Sequence, residues 1–135
     1  MNSRYLLTGI LLVALVAIIS LGLAGITGFI VSDGGNLEVQ VDIDNGVNTT
    51  THIVTLNPKE SAFDALKRVA VVDYRIYATG IFITGINGIM QDENHYWLYF
   101  VNGKMPEVGC DFYYPKDGDV ITFRYLTAKE ARGYF

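Results

Sequence analysis

From Tyr5 to Val31 the chain carries no charged residue, and Leu, Ile, Val, Ala and Gly dominate. Roughly 27 residues of this kind form a helix of about 40 Å, long enough to cross a bilayer with some tilt. A segment like this cannot share a globular core, so the fold must be built from the residues C-terminal to it. Arg4 is the only charge before the run and Asp33 the first after it. That asymmetry favours a cytoplasmic N-terminus, with everything after Ser32 on the far side of the membrane. Residues 1–32 are read as a single transmembrane anchor or uncleaved signal. The competing reading is a signal peptide cut after Ala24, within the small-residue stretch Gly22–Gly25. The anchor is preferred because the apolar run continues through Ile26, Phe29, Ile30 and Val31, and the basic flank is one arginine. Ser20, Ala24 and Gly28 recur every fourth residue, a ridge that would let two such helices pack as a homo-oligomer.

Either reading leaves about 100 residues outside the cytoplasmic membrane, enough for one domain with its own core. Without Arg4 the formal charge of the whole chain, −4, becomes about −5, and no cluster of Lys or Arg is present. Nucleic acid is therefore excluded as a partner. Cys110 is the single cysteine, so no intramolecular disulfide holds this domain. Its place in an aromatic, loop-like segment suits a small filler better than an intermolecular bridge. Asn48-Thr49-Thr50 is a glycosylation sequon, and Asn48 is the candidate acceptor in a host that modifies exported proteins.

After a linker at 33–36, Leu37–Ile43 alternates strictly: Leu37, Val39, Val41 and Ile43 on one face, Glu38, Gln40 and Asp42 on the other. This is a half-buried strand, and Asp44-Asn45-Gly46 turns it into a hairpin with His52–Leu56. Ser61 and Asp64 have the spacing of a capping box and open a helix. Its apolar stripe is Ala62, Ala65, Leu66, Val69 and Ala70, with Lys67 and Arg68 toward its C-terminal end. Tyr74–Tyr77 reads as a loop or short strand, and Gly80–Gly88 as a strand through Ile83 followed by a glycine-interrupted bend. Tyr96–Val101 is a strand with six consecutive apolar or aromatic residues, closed by the hairpin turn Asn102-Gly103. Val120–Tyr125 is the last strand. The order hairpin, helix, then about three strands predicts an α+β fold: a β-grasp-like mixed sheet with one helix packed across one face.

One helix covers one face only, so the aromatic strand decides where function lies. Placing Leu98 and Phe100 in the core beside Ile121 and Phe123 puts Trp97, Tyr99 and Val101 on an open face with Glu38, Gln40, Thr122 and Arg124. The alternative is that Trp97 and Tyr99 are covered by Tyr74–Tyr77 or by Cys110–Tyr114, which makes the strand two-sided core and marks no site.

Four phrases stand in order: PKESAFDALKRVA, GIFITGINGI, YWLYFVNGK and KDGDVITFRY. Together they resemble the transcobalamin-like C-terminal domain, a soluble-ligand-binding β-grasp family that recurs in prokaryotic exported proteins. The resemblance covers residues 37–125 of a domain read as 37–127, with 128–135 as a C-terminal tail. It implies a non-enzymatic role. In vertebrate cobalamin carriers a similar domain closes over the corrinoid from one side, and a large helical domain, for which this chain leaves no room, holds the other. By that analogy Tyr96, Trp97, Tyr99, Asn102, Gly103 and Lys104 become candidate ligand contacts, Arg124 adds a charged contact at the rim, and a corrinoid becomes a candidate ligand; no cofactor is expected.

The sequence by itself argues against catalysis. His52 and His95 lie in different segments, and no nucleophile-elbow, zincin or phosphate-loop motif occurs. Asp92 or Glu93 with His95, and His52 with His95 and Cys110, lack metal-ligand spacing. The chain is therefore read as a membrane-anchored, extracytoplasmic binding module for a soluble small molecule, a surface protein or a glycan. The alternative is a structural or protein-interaction component of the cell surface with no small ligand.

Overall fold

The computed structural model describes residues 35–135. The anchor, the alternative cleavage after Ala24 and the Ser20, Ala24, Gly28 ridge lie outside these residues. Among the described residues no helix is long and apolar enough to cross a membrane.

The alternating segment forms β1 (Leu37–Asp44), which pairs antiparallel with β2 (Thr49–Leu56) across a turn where Gly46 has φ +83°. Val39, Val41 and Ile43 are buried, as alternation requires. Helix α1 (Ala62–Val69) starts at Ser61, whose hydroxyl accepts from the Asp64 amide at 3.2 Å while Asp64 Oδ2 accepts from the Ser61 amide at 2.9 Å. Two amides that the helix itself leaves unpaired are thus satisfied at its start. The helix ends at Ala70, which is extended, and its Ala62, Phe63, Ala65 and Leu66 are buried.

The remaining strands are β3 (Val72–Tyr77), β4 (Gly80–Ile86), β5 (Ile89–Met90), β6 (His95–Val101) and β7 (Val120–Thr127). They form two sheets: a mixed one in the order β2-β1-β7-β6, and an antiparallel one in the order β3-β4-β5. Within the first, β1 and β7 run parallel, with Val41 beside Ile121 and Ile43 beside Phe123. A short helix α2 (Ala128–Ala131) follows β7 directly, and a single 3₁₀ turn (Arg132–Tyr134) closes the chain.

The class is α+β, with two sheets and few helices. A single sheet did not account for Tyr74–Tyr77, which is a full strand, nor for β4, which runs past Ile83 to Ile86 before Asn87-Gly88 turns it into β5. Both Asn87 (φ +50°) and Gly88 (φ +80°) take left-handed conformations, the pattern of a two-residue hairpin turn. Gly85 does not break the strand because its missing side chain leaves room for Met90 and Asp73. The main core lies between the first sheet, α1 and β4, and joins Val39, Val41, Leu56, Leu66, Ile86, Ile121 and Phe123.

Truncating Leu66, which is fully buried in this core, should cost about 2–5 kcal/mol in a urea titration. Ser61→Ala, which removes the cap alone, should cost about 1 kcal/mol. Equal losses would mean that α1 is held by its start rather than by its stripe.

Candidate functional site

The register of β6 on β7 decides the faces of the aromatic strand. Directly opposed pairs are Trp97 with Tyr125, Tyr99 with Phe123 and Val101 with Ile121. Opposed residues point to the same side of a sheet. Trp97, Tyr99 and Val101 therefore share the core face with Phe123 and Ile121, the reverse of the expected phase. A strand apolar at every position carries no alternation from which to read phase. Trp97 is only 3% exposed, and its indole N–H donates to the Ile89 carbonyl at 2.8 Å. The other face carries Tyr96, Leu98 and Phe100, and it too is covered: Phe100, Leu126 and Ala131 form a second small cluster. The C-terminal segment read as a tail thus folds back over β6. Exposure of Trp97 on an open platform is overturned, and the two-sided strand is what the protein builds.

The covering of the Trp97 face is incomplete. Between β4, β6 and the segment 105–110 lies a cleft of about 170 Å³, walled by Ile81 and Phe82, by Trp97 and Tyr99, and by Met105, Pro106 and Cys110. Its lining is mainly apolar. The Tyr99 hydroxyl donates to the Val108 carbonyl, which ties the outer wall to β6. Burial, reinforced by the negative charges that Cys110, Tyr113 and Asp111 would carry, raises the Tyr99 phenol above its usual range. Burial, with Asp111 beside it, pushes the Cys110 thiol up to about 12. Both groups stay protonated at neutral pH. Cys110 is buried and lines the cleft as a small apolar side chain.

The far wall is pinned to β4. Asp111 Oδ1 accepts from the Ile81 amide at 3.0 Å, and the Phe112 ring lies over Gly80. Gly80 has φ +122°, and a Cβ there would come within 2.9 Å of Asp111 Oδ1. Glycine is therefore demanded both by the backbone and by the approach of this loop.

The other predicted contacts go elsewhere. Asn102 (φ +50°) and Gly103 (φ +80°) form the expected turn, but the Asn102 side chain is spent on structure. It donates to Asp119 Oδ1 at 2.9 Å and accepts from the Val120 amide at 2.9 Å. Asp119 is buried and also accepts from the Tyr113 hydroxyl at 2.8 Å and the Lys116 amide at 2.9 Å. Burial would raise its pKa, but these bonds outweigh that effect and hold it below the usual aspartate range. Lys104 is exposed and lines a shallow hollow with Asn102, Met105, Pro106 and Tyr113. Arg124 lies on the opposite face of the sheet. It pairs with Asp44 at 3.4 Å and stacks over Phe100 at 5.5 Å, so it holds β7 to β1 and to the C-terminal cluster. Asn48 is exposed beside the β1–β2 turn.

The six candidates drawn from the aromatic strand and its turn, with Arg124, therefore do not form one site. Trp97 and Tyr99 share the cleft; Tyr96 and Arg124 face away from it; Asn102 and Gly103 shape the turn. Sequence reasoning missed Ile81, Phe82, Met105 and Pro106, because no alternation or motif marks residues that meet only across two sheets. Among the described residues no group of three His, Cys, Asp or Glu side chains is placed to hold a metal ion. His95 Nδ1 instead lies 3.0 Å from Asp92 Oδ1, and its ring stacks on Tyr125.

A family model described as a domain of unknown function, DUF4430, matches residues 59–127. Two solved structures share the fold. One is haptocorrin in complex with Cbi, at 16% identity and a TM-score of 0.64; the match covers 69% of this chain and 25% of that one. The other is a Ruminococcus gnavus ATCC 29149 protein whose name carries a provisional metal-binding assignment. It is 18% identical with a TM-score of 0.58, and the match covers 68% of this chain and 98% of that one. No curated protein matches the sequence. The fold is that of the transcobalamin-like domain, and this chain spans about a quarter of the haptocorrin length.

Asp119→Ala leaves the Asn102 amide and the Tyr113 hydroxyl without an acceptor and should cost about 3 kcal/mol in chemical denaturation. Because the folded pKa is depressed, the stabilisation is complete above the unfolded aspartate value, near about 4, and is lost as pH falls through the folded value. Asp119→Asn should flatten that acid slope. A variant whose stability follows pH as steeply as the parent would show that another carboxylate carries the slope.

Proposed function

The chain belongs to the DUF4430 family, a domain of unknown function, and we propose that it is a non-catalytic, extracytoplasmic binding module held at the cell membrane by its N-terminal segment. We read its first sheet and α1 as a β-grasp variant in which β4 and the segment 105–110 are added as the wall of a ligand cleft. The observation that carries this reading is the aromatic cleft of about 170 Å³ beside Trp97 and Tyr99. A preformed apolar pocket with few polar groups is the usual form of a small-molecule site. At about 170 Å³ the cleft is smaller than the usual small-molecule pocket of roughly 300–1,000 Å³ and takes about one ring, so a larger ligand would insert an edge and leave its bulk outside. The fold shared with haptocorrin, a protein solved in complex with Cbi, supports a corrinoid as the first ligand to try. The protonated Cys110 thiol supports binding without chemistry.

A structural role at the cell surface is the second reading. It is favoured by the β3–β4 hairpin, where Ile76 is 75% and Tyr77 52% exposed. Side chains of this size left in water often mark contact surfaces.

Trp97 is the only tryptophan of the chain and forms part of the cleft wall, so its fluorescence reports on the site directly. Titration of the full chain in detergent with a cobinamide, corrected for absorption, should give saturable quenching. Met105→Asp should weaken it about tenfold by placing a charge in the apolar wall. A tryptophan signal indifferent to corrinoids, haem and soluble glycans, in a protein that sediments as an oligomer, would favour the surface-assembly reading instead.

A further inference from the structure

A second cavity lies on the side of β6 away from the cleft. It has a volume of about 490 Å³, and its lining is strongly apolar: Phe82 from β4, Tyr96 and Leu98 from β6, Ala128 from α2, and Phe135. The one charged residue in that lining is Arg132. Its Nε donates to the Ala128 carbonyl at 3.1 Å, which fixes the guanidinium at the end of α2. Among the described residues no carboxylate pairs with it. The other basic group of this face, Arg124, is already committed to Asp44. The groove therefore offers an apolar floor, the aromatic rings of Phe82, Tyr96 and Phe135, and one exposed cation whose terminal nitrogens have no protein partner among the described residues.

We propose that this groove binds a small amphiphilic anion, a molecule with a flat or aliphatic apolar body and one carboxylate or sulfonate, with Arg132 taking the anionic group. The volume falls in the range of small-molecule sites, and a mostly apolar lining with one placed charge fixes which end of the ligand enters. Arginine suits the task because its planar fork can present two parallel N–H donors to one carboxylate. The site is separate from the cleft beside Trp97; the two share only the Phe82 and Leu98 walls. Binding in the groove does not depend on the identity of a ligand in the cleft.

The test uses two probes with the same aromatic body. 8-Anilinonaphthalene-1-sulfonate carries an anion, and N-phenyl-1-naphthylamine does not. Both brighten on leaving water and both enter micelles, so each affinity on the full chain is read from the protein-dependent signal above that of the same detergent without protein. The native protein should bind the sulfonate saturably and more tightly than the neutral amine. Arg132→Gln should weaken the sulfonate about tenfold and leave the amine unchanged, while Arg132→Lys should recover part of the loss. Ala128→Trp, which fills the floor, should abolish both. Met105→Asp, in the other cavity, should change neither. Equal affinities for the two probes in the native protein, or an Arg132→Gln variant that loses neither or loses both alike, would overturn the proposal.

Discussion

The parallel pairing of β1 with β7 joins positions 80 residues apart: Gln40 lies beside Val120 and Asp44 beside Arg124. Both edge strands hang from this pair, β2 from β1 and β6 from β7. A parallel contact cannot be made by a tight turn, so everything from Asn45 to Asp119 is its crossover. Closing a loop of that length has an entropic cost that rises only slowly with length. The burial of Val39, Val41, Ile121 and Phe123 offsets it, and the Gln40 amide bonds to the Asp119 carbonyl at 2.9 Å to hold the register. Because Asp119 also gathers Asn102, Tyr113 and Lys116, that register extends to the hairpin after β6 and to the loop that walls the cleft.

The same pairing explains why the cleft lies where it does. Strand β6 is at the edge of the first sheet, with β7 on one side and no strand on the other. An apolar edge strand left open is prone to pair with other chains. Here the β4 strand of the second sheet and the segment 105–110 pack against it without joining its ladder. Val101 is bridged to Lys104, and Tyr99 reaches Val108. Side chains from two sheets that meet without shared backbone bonds need not interlock fully, and the gap between them is the cleft.

The sequence was legible where one face of an element is wet. Leu37–Ile43, the capping box at Ser61, the α1 stripe and the Asn102-Gly103 turn all carry local signals, and each is found within a residue or two of its expected place. It was not legible where both faces are dry. Tyr96–Val101 could be phased only from its neighbours, and choosing Leu98 for the core exchanged its two faces. Arg124 illustrates the second difficulty. It alternates correctly within β7, yet its partners Asp44 and Phe100 come from β1 and β6. The C-terminal segment was obscure because a four-residue helix has no periodicity to read, although Thr127 and Glu130 make the same reciprocal cap that was recognised at Ser61.

The two cavities differ in how they can discriminate. Around the cleft beside Trp97 the groups that could ionise, Tyr99 and Cys110, are kept neutral by burial, so selection there rests on shape and apolar area. Apolar contacts reward size but discriminate weakly between molecules that differ by a single methylene group. The groove under α2 carries a solvent-exposed cation beside its apolar lining and can favour an anion over a neutral molecule of the same shape, because only the anion can accept a charge-assisted hydrogen bond from it. Phe82 belongs to both walls and sits on a hairpin whose tip is exposed.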